Sequence, residues 1–117
     1  MLRFYWYSKC DTCRRAKKWL ESNGRKFEEI DITLAPPSLA DLKDYLKKSG
    51  KELKDFLNRS GVQYRELNMK DKVKSLPPEK ILEMLAKEGR LIKRPIVTDG
   101  KKVSVGFDEK EFARLWA

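Results

Sequence analysis

Residues 2–20 read Leu2-Arg3-Phe4-Tyr5-Trp6-Tyr7-Ser8-Lys9-Cys10-Asp11-Thr12-Cys13-Arg14-Arg15-Ala16-Lys17-Lys18-Trp19-Leu20. Leu2 to Tyr7 is apolar and aromatic apart from Arg3, the pattern of a buried strand. From Arg14 onward the residues favour a helix, and Ala16, Trp19 and Leu20 recur at i, i+3, i+4, as an inward helical face does. Asn23-Gly24 supplies a helix stop. The junction between strand and helix holds the only two cysteines of the chain, Cys10 and Cys13. Cys10 falls in the loop and Cys13 in the first helical turn.

Working outward, Phe27 to Ile32 reads as a second strand. Strand, helix and strand within about thirty residues make a βαβ unit, with parallel strands and a right-handed crossover expected. Ala35-Pro36-Pro37 breaks the chain. Ser38 then caps a helix, with Asp41 three residues on, whose inner face is Leu39, Leu42, Tyr45 and Leu46 and whose stop is Ser49-Gly50. Leu53, Phe56 and Leu57 mark a short helix. Residues 62–76 read as irregular or weakly helical, anchored by Tyr64, Leu67 and Met69. Pro78 opens another helix, with Ile81, Leu82 and Leu85 inward and Gly89 as its stop. Ile96-Val97-Thr98 and residues 101–106 form a hairpin, for which Asp99-Gly100 is a two-residue turn signal. Asp108 and Glu111 start a last helix, with Phe112, Leu115 and Trp116 facing inward.

The layout is α/β: βαβ, a helical insertion, then ββα around a four-stranded mixed sheet, as in a thioredoxin-like fold. One domain spanning 1–117 is expected, with a helical insertion subdomain at about 33–89. A chain of 117 residues is long enough to bury a core of that kind.

Composition excludes several chemistries. There is no histidine, so neither a Ser-His-Asp nor a Cys-His nucleophile can be built, and no imidazole can bind a metal. Two cysteines cannot form a four-thiolate zinc site within one chain, and no metal site is expected. No apolar run approaches the ~20 residues that span a bilayer, and the N-terminal run is too short for a signal peptide. The reading is of a cytoplasmic protein with no membrane association, whose thiols stay reduced. Net charge is +9, from 27 Lys and Arg against 18 Asp and Glu. Those charges interleave along the chain and match no nucleic-acid motif, so direct DNA binding is not expected.

Chemistry therefore concentrates on Cys10 and Cys13. A helix N-terminus presents free backbone N–H groups and the positive end of a dipole, which favour thiolate over thiol. Lys9, Arg14 and Arg15 add positive charge, and Asp11 opposes it. Cys10 is the expected attacking group, and Cys13, one turn on, the resolving group. Three plainer readings compete: a structural disulfide, a zinc site shared between two chains, and two inert core cysteines. The first closes too small a loop to stabilise much. The last sits badly with Ser8, Lys9 and Asp11 as neighbours.

Taken in order, Cys10-Asp11-Thr12-Cys13-Arg14 with Ala16 and Trp19-Leu20, Pro36-Pro37-Ser38, Tyr64-Arg65-Glu66-Leu67 and Ile92-Lys93-Arg94-Pro95-Ile96-Val97 resemble one family across nearly the whole chain. It joins the glutaredoxin-coupled arsenate reductases to the Spx regulators and their relatives. The resemblance implies that Cys10 is the reactive cysteine and that Pro95 is cis and next to the thiol. It also implies that Arg94 binds an oxyanion in the reductases or helps sense thiol oxidation in the regulators. Thr12 and Arg14 join these as expected anion-binding or activating residues. The reductases of this group carry serine at the Cys13 position and an arginine cluster. Here Asn58 occupies the second arginine position, with Arg59 adjacent as a weaker substitute, and the third falls near Gly106 and Phe107.

Two functions follow from the resemblance. One is a thiol–disulfide or oxyanion reductase that works through the Cys10/Cys13 pair, as a monomer with no bound cofactor, with glutathione, glutaredoxin or thioredoxin as external reductant. The other is an Spx-type redox-sensing regulator that binds the RNA polymerase α subunit. Gly50 falls near a glycine that helps make that contact, but the reading preferred from the sequence is a plain helix C-cap.

Overall fold

Strand β1 (Leu2–Trp6) is the axis of the sheet in the computed structural model, which describes residues 1–117. It pairs in parallel with β2 (Phe27–Asp31) and antiparallel with β3 (Ile96–Thr98), and β3 pairs antiparallel with β4 (Val103–Val105). The order is β2-β1-β3-β4. This mixed sheet with its flanking helices is a thioredoxin-like arrangement. Because side chains alternate across a strand, β1 serves both faces. Leu2 and Phe4 pack with Ala16 and Leu20 of α1 (Asp11–Ser22) and Phe112 and Trp116 of α6 (Glu109–Trp116). Tyr5 points the other way, into the cluster that includes Leu42, Tyr45, Ile81, Leu85 and Ile96. The sheet is thus the middle of three layers.

The second face is covered by α2 (Leu39–Ser49), α3 (Val62–Glu66), α4 (Met69–Ser75) and α5 (Pro78–Lys87), with a 3₁₀ turn at Leu53–Phe56 and another at Gly89–Leu91. Local signals explain most boundaries. Ser38 Oγ accepts the Asp41 N–H at 3.1 Å, and Gly50 ends α2 in the left-handed region at φ 68°. Pro78 opens α5 at its first position, where no N–H is required. Asp108 Oδ1 accepts the N–H groups of Lys110 and Glu111 at the start of α6. No helix is long and apolar enough to cross a membrane.

Several local expectations change. Residues 62–76 form two short helices, α3 and α4, separated at Asn68, which takes φ 53°. Met69 is fully buried and Tyr64 packs against the core, but Leu67 is an exposed residue and anchors nothing. The hairpin ladder ends at Thr98 and Val103, so residues 99–102 connect the strands in place of a two-residue Asp99-Gly100 turn. Asp99 Oδ1 accepts the N–H groups of both Lys101 and Lys102 at 2.8 Å and folds the connection around itself. Leu115 is partly buried, behind Phe112 and Trp116.

Gly89 is not a left-handed helix stop. A Cβ at this position would lie 1.8 Å from the Ile32 carbonyl oxygen and 3.3 Å from Pro36 Cβ. Glycine is required there because two backbones touch.

Candidate active site

The sharp exit from β1 places Cys10 at the N-cap of α1. Its N–H donates to the Tyr7 carbonyl at 3.0 Å, and its own carbonyl accepts the Arg14 N–H at 3.0 Å. Its Sγ then occupies the place of a capping oxygen and accepts the Cys13 N–H at 3.4 Å. Cys13, one turn on, is fully buried, whereas Cys10 is partly exposed. Both are free thiols.

This geometry splits the two thiols. Cys10 is lowered to about 5, first by the hydrogen bond from the Cys13 side chain, against which burial works, and then by the Cys13 N–H and Arg94. Cys13 is pushed well up, because it holds its proton toward Cys10 and because it is buried. At neutral pH the pair is one thiolate and one thiol sharing a proton. No imidazole is needed. Of the expected cations, the one that acts on Cys10 is Arg94. Arg14 is turned outward into an ion pair with Asp11, which is itself exposed. That pairing gives Asp11 a cationic partner of its own on the exposed side of the helix.

Arg94 is oriented by its neighbour in space. Its guanidinium carbon lies 5.1 Å from the centroid of the Tyr7 ring, a cation–π contact. The Arg94–Pro95 peptide is cis, and the buried Pro95 leads into β3, its carbonyl accepting the Gly106 N–H at 2.9 Å.

Cys10 opens into a cleft of about 730 Å³ that also takes in Thr12, Arg15, Lys51, Asn58, Lys93 and Arg94. Asp108 and Glu111, at the start of α6, supply its acidic side. Lys51 and Glu111 form an ion pair at 3.2 Å between the end of the α2 segment and α6. Gly106, at φ 81°, lets the Lys93 stem cross the cleft wall, where a Cβ would meet Lys93 Cε at 2.9 Å. The structure therefore brings Cys10, Thr12 and Arg94 into one cleft, with Cys13 buried behind Cys10. Arg14 and Arg59 are elsewhere. Arg14 faces a depression on the outer side of α1, and Arg59 a separate one of about 250 Å³ beside Lys54 and Asp55. Lys51, Lys93 and Glu111 are additions that local sequence signals do not reveal, since folding alone brings them together. No group of three or more His, Cys, Asp or Glu side chains is arranged to hold a metal.

The model of the ArsC family matches residues 5–115. The chain belongs to the ArsC family. Among ArsC relatives, the uncharacterized protein YusI of Bacillus subtilis is 54% identical over 116 residues, covering 99% of this chain and 98% of that protein. The global transcriptional regulator Spx of Listeria monocytogenes is 30% identical over 115 residues, covering 98% of this chain and 86% of the regulator. Two solved structures are also similar. An ArsC family related protein from Bacteroides fragilis has a TM-score of 0.93 at 37% identity, covering 97% of this chain and 96% of that one. A Streptococcus mutans protein described as a possible arsenate reductase has a TM-score of 0.87 at 40% identity, covering 97% and 98%. This ArsC member is thus similar both to a protein described as a possible arsenate reductase and to a transcriptional regulator.

Proposed function

We propose that the protein is a thiol–disulfide or oxyanion reductase whose working parts are Cys10, Cys13 and Arg94. The observation that carries this reading is the geometry at the helix N-cap, where the partly exposed Cys10 Sγ accepts the Cys13 N–H and the Cys13 thiol lies buried one turn behind it. On a disulfide substrate, the Cys10 thiolate attacks one sulfur, forms a mixed disulfide and releases the other half as a thiolate. Cys13 loses its proton to the departing sulfur and attacks Cys10 Sγ, which frees the second half. Two electrons leave the pair, and a Cys10–Cys13 disulfide remains. Glutathione or a dithiol redoxin then returns two electrons.

An oxyanion follows the same logic. Cys10 bonds to the central atom with loss of water. A second thiol attacks Cys10 Sγ, and the former bonding pair stays on the central atom, now reduced by two electrons. Arg94, the guanidinium that acts on Cys10, and Arg15 line the cleft open to such an anion, with Thr12, Lys51 and Lys93 beside them. The bidentate clamp of an arginine cluster has no counterpart at Asn58 or Gly106, so disulfides are favoured over arsenate as substrates. The test is thiol-coupled turnover with arsenate and with a small disulfide. A null result for both, with Cys10 shown to be intact, ends the proposal.

The Spx relatives support a second reading, a redox-switched regulator that binds the RNA polymerase α subunit. Gly50 is exposed at the end of α2, and its left-handed φ already accounts for a glycine there. A pull-down against the α subunit in reduced and oxidised buffer decides. No binding in either state ends this reading.

A further inference from the structure

More than half of the +9 net charge sits in eighteen residues. Between Lys9 and Lys26 there are seven cationic and two acidic residues, a surplus of +5, nearly all on or beside α1. Two of these cations are paired within the molecule, Arg14 with Asp11 and Lys17 with Glu29. Arg15, Lys18, Arg25 and Lys26 are exposed and have no carboxylate at ion-pair distance. The outer side of α1 is also concave. A depression of about 720 Å³ is lined by Trp6, Ser8, Arg14, Arg15, Lys17 and Lys18, with Lys17 Nζ 4.7 Å from the Trp6 ring centroid. Arg15 lines both this depression and the Cys10 cleft, so the two are continuous.

We propose that the outer face of α1 is the docking surface for an acidic dithiol protein, which reduces the Cys10–Cys13 disulfide across the shared Arg15 edge. This rests on the reductase reading above. Charge complementarity sets the partner's sign. Continuity with Cys10 sets its chemistry, because a partner seated here brings its own thiol to the cleft mouth. A nucleic acid fits less well. Asp11 and Glu21 lie within the depression, and Glu29 of the edge strand β2 reaches it through its ion pair with Lys17, where a phosphate backbone would be repelled.

The exchange balances. A thiolate of the partner attacks Cys10 Sγ, the exposed half of the disulfide, and Cys13 leaves and takes up a proton. The partner's second thiol, giving up its proton, attacks its own sulfur in the mixed disulfide and releases Cys10 as a thiolate. The partner ends as a disulfide, and two electrons have moved. A small thiol such as glutathione can enter the cleft without touching the outer face of α1.

The experiment follows reduction of the oxidised protein by an acidic thioredoxin, by glutathione and by dithiothreitol. The thioredoxin rate is expected to fall about tenfold from low salt to about 0.5 M salt, where charges are screened beyond about 4–5 Å. Lys18→Glu with Arg25→Glu should lower it about three- to tenfold at low salt. Lys18 lies about 12 Å along the helix from Cys10, beyond the screening length of ~8 Å at physiological salt. The glutathione and dithiothreitol rates should therefore change far less, and Lys80→Glu, on α5, should leave all three unchanged. Equal loss in all three arms, or a thioredoxin rate insensitive to salt and to these substitutions, overturns the proposal. So does a retarded DNA duplex that depends on Lys18 and Arg25 while the thioredoxin rate does not. If oxidation yields no Cys10–Cys13 disulfide at all, the reductase reading itself has failed.

Discussion

Replacing Cys13 by alanine separates the largest cause that holds Cys10 ionised from the others. The wild-type thiolate takes a hydrogen bond from the Cys13 side chain, which is the largest effect, and one from the Cys13 N–H at 3.4 Å. Cys13→Ala removes the first and keeps the second, because the backbone stays. A hydrogen bond to a charged group is worth about 1.5–3 kcal/mol, and 1.36 kcal/mol corresponds to one pH unit. The Cys10 pKa should rise from about 5 to about 6–7. It should not return to the ~8.5 of a free thiol, since Arg94 and the helix N–H remain. At pH 7 the thiolate fraction then falls from nearly all to about half to nine-tenths, too little for a single-pH rate to show clearly. The assay is therefore the full pH profile of iodoacetamide alkylation at Cys10, read by mass spectrometry. Cys13→Ser, which restores an O–H donor, should bring the midpoint back toward the wild-type value. A Cys13→Ala midpoint still near 5 would refute the shared-proton account, and a wild-type midpoint near 8.5 would refute the activated thiolate altogether.

Tyr7→Leu should free the Arg94 guanidinium and raise the same midpoint by on the order of half a pH unit, as expected for one cation–π contact, whereas Tyr7→Phe should not. Stability of the reduced protein should also track the pair. Cys10, lowered in the fold, contributes stability that is present above the unfolded thiol pKa of ~8.5 and lost as pH falls through about 5. Cys13, raised in the fold, has the opposite sign, so its contribution is lost above ~8.5. Denaturation of wild type against Cys10→Ala/Cys13→Ala should thus show a difference that grows from about pH 5 to about pH 8.5 and then shrinks. Gly89→Ala should destabilise the fold by more than about 3 kcal/mol in chemical denaturation, because backbone on both sides must separate. A loss under about 1 kcal/mol would show that the contact with Ile32 yields easily.

The reactive half of the site was legible because it is local. The apolar run, the Cys-x-x-Cys spacing and the Ala16, Trp19, Leu20 stripe all lie within twenty residues, and they place Cys10 at a helix N-cap without tertiary information. The sheet was legible for a related reason: β1 and β3 carry short apolar runs, and β2 follows the Asn23-Gly24 helix stop at once. The cleft walls were not. Asn58 and Lys93 drew notice only through the resemblance, and nothing near Lys51 or Glu111 announces a surface shared with Cys10. The charge of α1 was visible as letters but not as a face, because interleaved acids elsewhere mask a surplus that only the helix collects. Leu67 misled for a related reason. Its apolar side chain fits an anchoring role, but the short α3 ends there and turns it to solvent.

The contact between Ile32, Pro36 and Gly89 gives the helical insertion an unusual economy. The segment leaves the sheet and comes back to it at nearly one point, so for the rest of the chain it is a closed loop whose ends are already fastened. The closure entropy of such a loop grows only with the logarithm of its length, by about 0.6 kcal/mol for each doubling. Residues could be added or removed around α3 and α4, far along the loop, without moving β1, β3 or the thiol they carry. The sheet and its cysteines form a constant chassis, and the loop is where relatives of this protein can change what sits over the cleft while leaving the sulfur chemistry alone.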